Sequence, residues 1–285
     1  MKLLIAGSGG QLGRALQARV PAGASVIAPP EAEFDITDAA RVAQVVAASG
    51  ATHLVNAAAY TAVDKAEGDL ATARRINVDA VATLASAARA AGLGFIHVST
   101  DFVFDGNAST PYAPDAPTSP IGVYGETKRD GELAAGADAL IVRTAWVYAA
   151  AGNNFVKTML RVMTERPEVR VVADQIGTPT HALGLAGALW RLAGAGARGH
   201  YHWTDAGAAS WYDFAVAIQE EALALGMLDR AVPVIPIRTA DYPTPAKRPS
   251  YSVLDKTSSW AITGPARHWR RELRDCLALM KDLPA

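Results

Sequence analysis

The stretch Lys2-Leu-Leu-Ile-Ala-Gly-Ser-Gly-Gly-Gln-Leu-Gly13 decides the fold. Its apolar start predicts a strand, and a helix is predicted from Leu12 onward. Gly7, Gly10 and Gly13 follow the spacing Gly-x-x-Gly-x-x-Gly. Glycines at such a turn let the main chain approach a pyrophosphate and let the helix pack closely on the strand. The stretch therefore predicts a dinucleotide-binding turn, with an ordinary strand-to-helix turn as the alternative.

From this turn onward, strand and helix patterns alternate through the first half of the chain. Short β-branched runs predict strands, and alanine-rich periodic segments predict helices. The predicted strands are Lys2–Ala6, Ser25–Ala28, His53–Ala58, Phe95–Ser99 and Leu140–Val147. The predicted helices are Leu12–Val20, Ala39–Ser49, Leu70–Ala91 and Tyr124–Ala135. This alternation is typical of βαβ units, so we predict an α/β fold, a Rossmann-type doubly wound parallel sheet.

The alternation loosens after about residue 150. The predicted helices of this half are Phe155–Arg166, Thr180–Ala193, Ser210–Leu225 and Arg267–Leu283, and the predicted strands are Val169–Ala173 and Val232–Ile237. Pro233 and Pro236 make the last of these an edge strand. We expect residues 1–150 to form an NAD(P)-binding Rossmann domain, completed by a returning segment near 169–195. Residues 151–285 would mainly form a smaller C-terminal α/β substrate-binding lobe.

The composition excludes several classes of protein. Hydrophobic residues make up 50% of the 285 positions and charged residues 19%, which excludes a disordered, collagen-like or coiled-coil chain. Lys plus Arg number 27 against 28 Asp plus Glu, so no basic excess is present to bind nucleic acid. The lone cysteine, Cys276, excludes an internal disulfide and a cysteine-based zinc site. Because of this charge balance, we expect no nucleic-acid partner.

No segment has the pattern of a signal peptide or a membrane span. The apolar start is interrupted by Gly7, Gln11 and Arg14, before an apolar h-region is complete. The longest charge-free stretch, between Asp174 and Arg191, is too short and too polar to span a bilayer. We expect a cytoplasmic protein without a membrane partner.

Tyr124 and Lys128 have the spacing of a proton-transfer pair. Residues four apart lie on one face of a helix, and an ammonium beside a phenol favours the phenolate and lowers its pKa. Such a tyrosine can give or take a proton at a carbonyl or alcohol, while the lysine can bind a cofactor ribose. Ser99 and Thr100 add hydroxyls at the carboxyl end of a predicted strand, where parallel sheets bind ligands. Together with the glycine turn, the pair indicates a dehydrogenase.

On these motifs and on longer stretches, the chain resembles the extended short-chain dehydrogenase/reductases, and within them the dTDP-4-dehydrorhamnose reductase family. The matching stretches are Gly7–Gly13, Val55–Glu67, Ser99–Phe104, Ser119–Lys128, Arg143–Tyr148, Gly152–Leu160, Asp174–Thr180 and Pro243–Ser250. The last four are more specific than the dehydrogenase motifs. The resemblance implies reduction of dTDP-4-dehydro-L-rhamnose to dTDP-L-rhamnose by hydride transfer from NADPH or NADH, the last step of dTDP-L-rhamnose synthesis.

The resemblance also implies roles for individual residues. Tyr124 would protonate the reacting oxygen, Thr100 would hydrogen-bond it and Lys128 would hold the cofactor ribose, so these three form the expected catalytic set. The implied cofactor-binding residues are Gly7, Gly10, Gln11, Leu12, Asp35, Ile36, Ala57, Ala59, Tyr60, Thr61, Val98, Tyr124 and Lys128. The implied substrate-binding residues are Thr100, Asp101, Trp146, Asn153, Asn154 and Arg248. For Arg248 the chemistry agrees, since a guanidinium fork suits a diphosphate.

The preferred cofactor is not decided by the sequence. Glu31 is a candidate ribose partner and equally a solvated loop residue, and no arginine stands nearby to meet a 2′-phosphate. Ala15 stands where some members of the family carry a glutamate that serves a magnesium-linked dimer. We therefore expect no metal, and a monomer or weak homodimer that binds a small nucleotide-sugar substrate.

Three alternatives share the fold. Sugar-nucleotide 4,6-dehydratases carry a carboxylate as base after a Thr-Asp pair, whereas Phe102 follows Asp101 in this chain and cannot act as a base. That difference favours simple reduction. Another nucleotide-sugar 4-ketoreductase or epimerase stays open, as does a non-catalytic dinucleotide-binding regulatory subunit. The presence of Thr100, Tyr124, Lys128 and Arg248 argues against the regulatory subunit.

Overall fold

The structure is a computed structural model and describes residues 1–282. A six-stranded parallel sheet forms its centre. The strands are β1 (Lys2–Ala6), β2 (Ser25–Ile27), β3 (His53–Asn56), β4 (Gly94–Thr100), β5 (Leu140–Thr144), β6 (Val147–Tyr148), β7 (Val169–Val172), β8 (Ile176–Gly177), β9 (Thr180–His181), β10 (Gly199–His202), β11 (Ala209–Ser210) and β12 (Val234–Ile237). The helices are α1 (Gln11–Ala18), α2 (Ala39–Ala48), α3 (Val63–Ala66), α4 (Leu70–Arg74), α5 (Ala80–Ala90), α6 (Val123–Ala135), α7 (Phe155–Glu165), α8 (Ala182–Gly194), α9 (Trp211–Ala224), α10 (Thr257–Thr263) and α11 (Trp269–Asp282).

The strand order of the central sheet is β10-β5-β4-β3-β1-β2, and every pair is parallel, which confirms the predicted doubly wound α/β fold. β1 pairs with β2 on one side and with β3 on the other, so the strand order reverses at β1. In such sheets, ligands bind in the crevice beyond the carboxyl ends of the strands at this reversal. The glycine turn that follows β1 lies at that crevice.

The side chains of β1 alternate between the two faces of the sheet. Leu3 and Ile5 belong to the apolar cluster that includes α1 and α8, whereas Leu4 and Ala6 belong to the cluster that includes α2 and α5. A strand with helices on both faces requires this period of two. A further apolar cluster joins α7, α9, α11 and β7, and it forms the core of the C-terminal part of the chain.

The predicted strand Leu140–Val147 is interrupted, so this prediction was partly wrong. β5 ends at Thr144, and β6 leaves the central sheet to pair with β9. Between them, Trp146 has a φ of 48°. This left-handed conformation does not fit a strand and is uncommon for a residue other than glycine. The chain therefore turns out of the sheet at Trp146, at the carboxyl end of β5.

The predicted helix Leu70–Ala91 contains a π-helical turn, Arg75–Asp79, that its periodicity did not indicate. Within this turn the buried Asn77 donates from Nδ2 to the carbonyl oxygen of Tyr60 and to Oγ1 of Thr127, each at 3.1 Å. Turns of this kind occur often at functional sites. The turn directs the Asn77 amide toward the loop after β3 and toward α6.

The other predicted elements are confirmed with ends that differ by one or two residues. Thr180–His181 is a strand rather than the first turn of a helix, because it pairs with β6 and the N–H of His181 donates to Oδ2 of Asp205 at 2.9 Å. The edge strand predicted at Val232–Ile237 begins at Val234 and pairs with β7. The short elements α3 and α10 were not predicted, and Leu283 lies outside the described residues.

The chain returns to the central sheet after residue 150 through α8 and β10. α8 shares an apolar cluster with α1, and β10 pairs with β5 as the edge strand. β10 was not predicted, because its sequence, Gly-His-Tyr-His, lacks the β-branched residues of the other strands. β7, which was expected near the start of the returning segment, pairs instead with β12 in a separate sheet of two strands. The division of the chain into two domains stays a prediction.

A buried ion pair holds α6 against the central sheet. Nε and Nη2 of Arg143, on β5, donate to Oε1 and Oε2 of Glu132, on α6, at 2.8 and 2.7 Å, and neither side chain is more than 4% exposed. The hydroxyl of Ser99, on β4, also donates to Glu132. Burial by itself raises the pKa of a carboxyl, but the hydrogen bonds from Arg143 and His200 outweigh it and lower the pKa of Glu132 to about 2.

We predict that Glu132→Gln lowers the free energy of unfolding by about 3–5 kcal/mol near neutral pH, because the buried guanidinium of Arg143 loses its counter-charge. Since the folded pKa of Glu132 lies below its ordinary value of 4.5, the carboxylate's stabilisation is present above that value and is lost as the pH falls toward about 2. Urea unfolding measured at neutral pH and at about pH 3 tests both effects, and the variant should lose less stability on acidification.

Asp130→Asn, on the same helix, is the control. Asp130 pairs with Arg74 at 3.0 Å, but the Arg74 side chain is 48% exposed. Exposed pairs of this kind contribute less than about 1 kcal/mol. Equal destabilisation by the two substitutions would contradict the role given to the buried pair.

Candidate active site

The glycine turn after β1 holds the main chain in contacts that leave no room for side chains. Gly7 has a φ of +79°, and a Cβ there would lie 2.7 Å from the nitrogen of Ala58. A Cβ on Gly13 would lie 2.2 Å from the oxygen of Gly7, so α1 packs directly on the turn. Gly10 is the N-cap of α1 and supplies no capping side chain. The first N–H groups of α1 are therefore left for an anion, and the turn fits a dinucleotide pyrophosphate.

The residues expected at the adenine lie in the loop between β2 and α2. Ile36 is buried in the apolar cluster that includes α2 and α5. Asp35 is exposed, and its Oδ1 accepts from the nitrogen and the hydroxyl of Thr37, each at 2.8 Å. The main-chain bond, followed by the hydroxyl bond, lowers the pKa of Asp35. Asp35 is thus a charged acceptor at the surface, whereas the Ile36 side chain is a core residue.

Two buried asparagines fix the loop after β3, which contains Ala57, Ala59, Tyr60 and Thr61. Oδ1 of Asn56 accepts from the nitrogen of Ala58 at 3.1 Å. Oδ1 of Asn77 accepts from the nitrogen of Tyr60 at 2.9 Å, while its amide donates back to the Tyr60 carbonyl. The loop therefore has a fixed main-chain path beside the glycine turn.

The phenol of Tyr124 lies near the start of α6, beside the residues that follow β4. Its ring packs edge-on against Phe102, with centroids 5.5 Å apart, and part of the residue stays accessible to solvent. Burial raises the pKa of Tyr124 to about 12, against the smaller opposing effect of a hydrogen bond with Thr100. Tyr124 therefore holds its proton at neutral pH and can donate it.

Lys128 is only 2% exposed and follows Tyr124 by one turn of α6. Its Nζ donates to the carbonyl of Val98 at 2.8 Å and lies 3.4 Å from Nε2 of His97. Burial lowers the pKa of Lys128 to about 8, although the charge of Glu132 raises it. The expectation that Lys128 lowers the pKa of the phenol is wrong in this structure, because burial determines the pKa of Tyr124 and the ammonium is bonded to β4.

A buried imidazole and amide support the lysine. Asn56 and His97 are partners in the register of β3 and β4, and Nδ2 of Asn56 lies 3.2 Å from Nδ1 of His97. Burial, and then the charge of Lys128, lowers the pKa of His97. The ring is therefore neutral, and it packs against the ammonium without adding a second charge.

Thr100 and Asp101 follow each other at the end of β4. The Thr100 hydroxyl donates to Oδ1 of Asp101 at 3.1 Å and accepts from the nitrogen of Phe102 at 3.2 Å. Asp101 is 1% exposed, and its Oδ2 is buried without a hydrogen-bond partner among the described residues. Burial raises the pKa of Asp101 to about 6, against hydrogen bonds with Ser252 and Thr100. Asp101 thus accepts a hydrogen bond directly from Thr100, and its carboxyl is buried at the end of β4.

The indole of Trp146 packs between Trp211 and Gly177. The rings of Trp146 and Trp211 stack with centroids 3.6 Å apart, and a Cβ on Gly177 would lie 2.7 Å from Cε2 of Trp146. The left-handed backbone at Trp146 costs about 1–3 kcal/mol and persists only where its surroundings enforce it. Trp146 is only partly buried, so the strained turn holds an aromatic surface that a ligand can reach.

The neighbouring residues Asn153 and Asn154 differ in their surroundings. Asn153 is exposed, whereas Asn154 caps α7 by accepting from the nitrogen of Lys157 at 3.1 Å. The Asn154 amide also donates to Oε1 of Gln11 at 3.0 Å and to the carbonyl of Ala149 at 2.7 Å. Asn154 therefore joins the start of α7 to the first residue of α1, beside the glycine turn.

Arg248 lies against α3 rather than against the glycine turn. Its Nη1 and Nη2 donate to Oδ1 and Oδ2 of Asp64 at 3.1 and 2.7 Å.

The structure thus brings the predicted residues into separate groups. Thr100, Asp101, Tyr124, Lys128 and Val98 meet at the end of β4, Gln11 and Asn154 meet at the glycine turn, and Arg248 stands at α3.

Sequence reasoning missed the polar residues that support these groups, namely Asn56, Asp64, Asn77, His97, Glu132 and Arg143. A signal was present for three of them. Asn56, His97 and Arg143 are polar residues inside otherwise apolar strands, and a buried polar group needs a partner. Asn77 and Glu132 lie within predicted helices, where polar residues are ordinary, and Asp64 lies where no element was predicted, so these three gave no such signal.

Comparison with known proteins gives consistent results over the whole chain. The sequence model of the family described as the RmlD substrate binding domain matches residues 1–281. The dTDP-4-dehydrorhamnose reductase of Burkholderia thailandensis is 45% identical over 268 residues, which cover 89% of this chain and 90% of that protein.

Solved structures of reductases with the same name are similar to this chain over almost its whole length. A dTDP-4-dehydrorhamnose reductase from Clostridium acetobutylicum superposes with a TM-score of 0.92 at 38% identity, covering 99% of this chain and 100% of that one. The dTDP-4-dehydrorhamnose reductase from Bacillus anthracis, solved in complex with NADP, has a TM-score of 0.90 at 33% identity, covering 98% of this chain and 99% of that one.

Residues 1–282 are the part of the chain that the structure describes. Within that range, no three His, Cys, Asp or Glu side chains are grouped so that they could hold a metal ion. No helix among the same residues has the length and apolar character needed to cross a membrane.

We predict that Gly13→Ala weakens dinucleotide binding at least about tenfold, because a Cβ there would lie 2.2 Å from the Gly7 oxygen and must displace α1 from the turn. Gly9→Ala is the control, because a Cβ on Gly9 would meet nothing within 4 Å. Fluorescence titration with NADPH measures both affinities. Equal affinities for the two variants would show that the close contact at Gly13 does not matter for binding.

Proposed function

The chain belongs to the dTDP-4-dehydrorhamnose reductase family, and we propose that it reduces dTDP-4-dehydro-L-rhamnose to dTDP-L-rhamnose with Thr100, Tyr124 and Lys128 as its catalytic residues. It is an NAD(P)-dependent oxidoreductase, and the reaction is the last step of dTDP-L-rhamnose synthesis. The observation that carries the residue assignment is the meeting of a protonated phenol, a hydroxyl and an ammonium at the end of β4.

The cofactor site follows from the glycine turn. The first N–H groups of α1 and the close main-chain contacts at Gly7 and Gly13 fit a pyrophosphate. Gly10, Gln11 and Leu12 would contact it. Asp35, Ile36, Ala57, Ala59, Tyr60, Thr61 and Val98 would line the rest of the cofactor. The reduced nicotinamide supplies the hydride when it is bound.

The catalytic residues act on the reacting oxygen and on the cofactor ribose. Tyr124 donates its proton to the oxygen as negative charge develops there, and its raised pKa keeps that proton available. Thr100 orients the phenol and hydrogen-bonds the same oxygen. Lys128 has Val98 and His97 beside its Nζ and can still donate toward the ribose.

The substrate would lie between the end of β4 and the C-terminal part of the chain. Asp101 follows Thr100 at the end of β4 and is proposed to contact the sugar, and Trp146 offers a partly exposed aromatic surface. Arg248 would bind the diphosphate from its place at α3, and Asn153 and Asn154 would face it from the side of the glycine turn. For this arrangement we propose the division expected from the sequence, a Rossmann domain over about residues 1–150 and a mainly substrate-binding lobe over 151–285.

The near-zero net charge, −1, supports a partner that is a small molecule rather than a nucleic acid. We propose a cytoplasmic enzyme without a membrane partner, acting as a monomer or weak homodimer.

Another nucleotide-sugar 4-ketoreductase or epimerase remains the second candidate. Incubation with NADH or NADPH and a panel of nucleotide-linked 4-keto sugars, followed by the loss of nicotinamide absorbance, distinguishes the substrates and the preferred cofactor. If the protein binds dinucleotide but oxidises neither NADH nor NADPH with any of these sugars, it would be a regulatory subunit.

Tyr124→Phe should lower the rate of reduction by about 10²–10⁴ while both ligands still bind, because the variant loses only the transferable proton. Single-turnover absorbance measurements give the rate, and equilibrium titrations give the affinities. Tyr201→Phe is the control, since Tyr201 lies on the edge strand β10 and the change likewise removes one phenolic hydroxyl. Reduction by Tyr124→Phe at the wild-type rate would exclude Tyr124 as the acid.

Lys128→Met should weaken NADPH binding about tenfold or more, because the ribose loses a charge-assisted hydrogen bond. In the wild-type protein, the ammonium is present below its pKa of about 8 and is lost as the pH rises through that value. The wild-type affinity for NADPH should therefore fall above about pH 8, and the variant should lack this change. A variant whose affinity depends on pH as the wild type's does would contradict the assignment.

A further inference from the structure

Arg248 is held on one side by a set of acceptors that no role in the reaction explains. Besides its two bonds to Asp64, Nη1 donates to Oγ1 of Thr244 and to the carbonyl of Ala246, the latter at 3.0 Å. Asp64 Oδ1 also accepts from the nitrogen of Ala246 at 3.2 Å. The carboxylate therefore binds both the guanidinium and the main chain of the loop that carries it.

These bonds leave one edge of the guanidinium unused. Nη1 has all its contacts within this set, and Nη2 gives one hydrogen to Asp64. The hydrogen of Nε and the second hydrogen of Nη2 remain, and they lie along the same edge of the planar group. Two parallel N–H groups on one edge match two oxygens of a phosphate. The Arg248 side chain is 24% exposed, so a ligand can reach it.

Asp64 belongs to a short segment that also contacts the catalytic helix. Asp64 lies on α3, and Glu67, one residue beyond α3, accepts from the nitrogen of Val123 at 3.0 Å. A Cβ on Gly122, just before α6, would lie 2.8 Å from the same Glu67 oxygen. The segment that holds Arg248 therefore also holds the start of the helix that carries Tyr124.

We propose that Asp64 is a positioning residue for the substrate diphosphate: it holds one edge of Arg248 so that the other edge, Nε and Nη2, faces the nucleotide sugar at a fixed distance from α6. The inference rests on the proposed function, since it takes the diphosphate of a nucleotide sugar as the ligand of Arg248. The hydrogen bond from Arg248 is the main cause that lowers the pKa of Asp64, so the carboxylate stays charged at neutral pH. Asp64 itself need not touch the substrate.

Asp64→Asn tests the proposal. The amide keeps the size of the side chain but replaces one acceptor with a donor that faces a guanidinium N–H. We expect the dissociation constant of dTDP, measured by calorimetry on the full chain, to rise about tenfold. The KM for the nucleotide sugar should rise similarly, while kcat and the dissociation constant of NADPH stay within about twofold of wild type.

Asp241→Asn is the matched control. Asp241 also forms a bidentate pair with an arginine, Arg238, but it accepts from Nε and Nη2 at 3.1 Å each, and the two residues are only three positions apart. This variant should bind dTDP as the wild type does. Arg248→Ala is a separate arm, expected to weaken dTDP binding about 30- to 150-fold through loss of the guanidinium itself.

The outcomes separate the two assignments. If Arg248→Ala binds dTDP normally, the diphosphate role of Arg248 fails, and the inference about Asp64 fails with it. If Arg248→Ala weakens dTDP binding but Asp64→Asn does not, only the positioning role is overturned. Tighter dTDP binding by Asp64→Asn would mean that the carboxylate competes with the diphosphate, which also overturns it. An equal loss of dTDP and NADPH affinity would indicate general damage rather than positioning.

Discussion

The carboxylate of Glu132 is the interaction on which the arrangement of the proposed catalytic groups depends. It binds Arg143 on β5 and Ser99 on β4, so it joins α6 to two neighbouring strands of the sheet. Tyr124 and Lys128 lie on the same helix, two turns and one turn before Glu132. Because a helix is rigid over such a length, fixing one residue fixes the distance of the other two from the sheet. The same carboxylate raises the pKa of Lys128 and so opposes the effect of burial on the ammonium.

Close main-chain contacts, together with the ion pair, hold α6 in its position. A Cβ on Gly125 would lie 2.2 Å from the carbonyl oxygen of Phe102, and a Cβ on Gly131 would lie 2.2 Å from that of Asn77. α6 therefore touches the segment after β4 at one end and the π-helical turn at the other. The ion pair fixes the position of α6 along its axis, whereas the two glycines set how near α6 lies to the segment after β4 and to the π-helical turn. Asn77, in the same π-helical turn, holds the loop after β3, so this loop and α6 share one support.

Much of the fold could be predicted because its signals are local. The period-two pattern of β1 and the glycine spacing after it depend on residues that are neighbours in the chain. The turn at Trp146 could not be predicted, because its left-handed backbone is enforced by Trp211 and Gly177, which are distant in sequence. Tyr124 and Lys128 were found through helical spacing. The supporting contacts were missed for a similar reason, since the Lys128–His97 contact joins residues 31 positions apart and the Asp64–Arg248 contact joins residues 184 positions apart.

The electrostatics of the site bear on the role proposed for the partly buried Tyr124 in ketone reduction. When hydride reaches the carbonyl carbon, negative charge develops on the oxygen, and an alkoxide is a stronger base than a phenolate. A phenol whose pKa is about 12 keeps its proton until that charge appears and still gives it up readily to an alkoxide. In the proposed reaction, the phenolate that results lies one helical turn from Lys128, whose Nζ is bonded to the carbonyl of Val98. Burial thus holds the proton on Tyr124 until that charge develops.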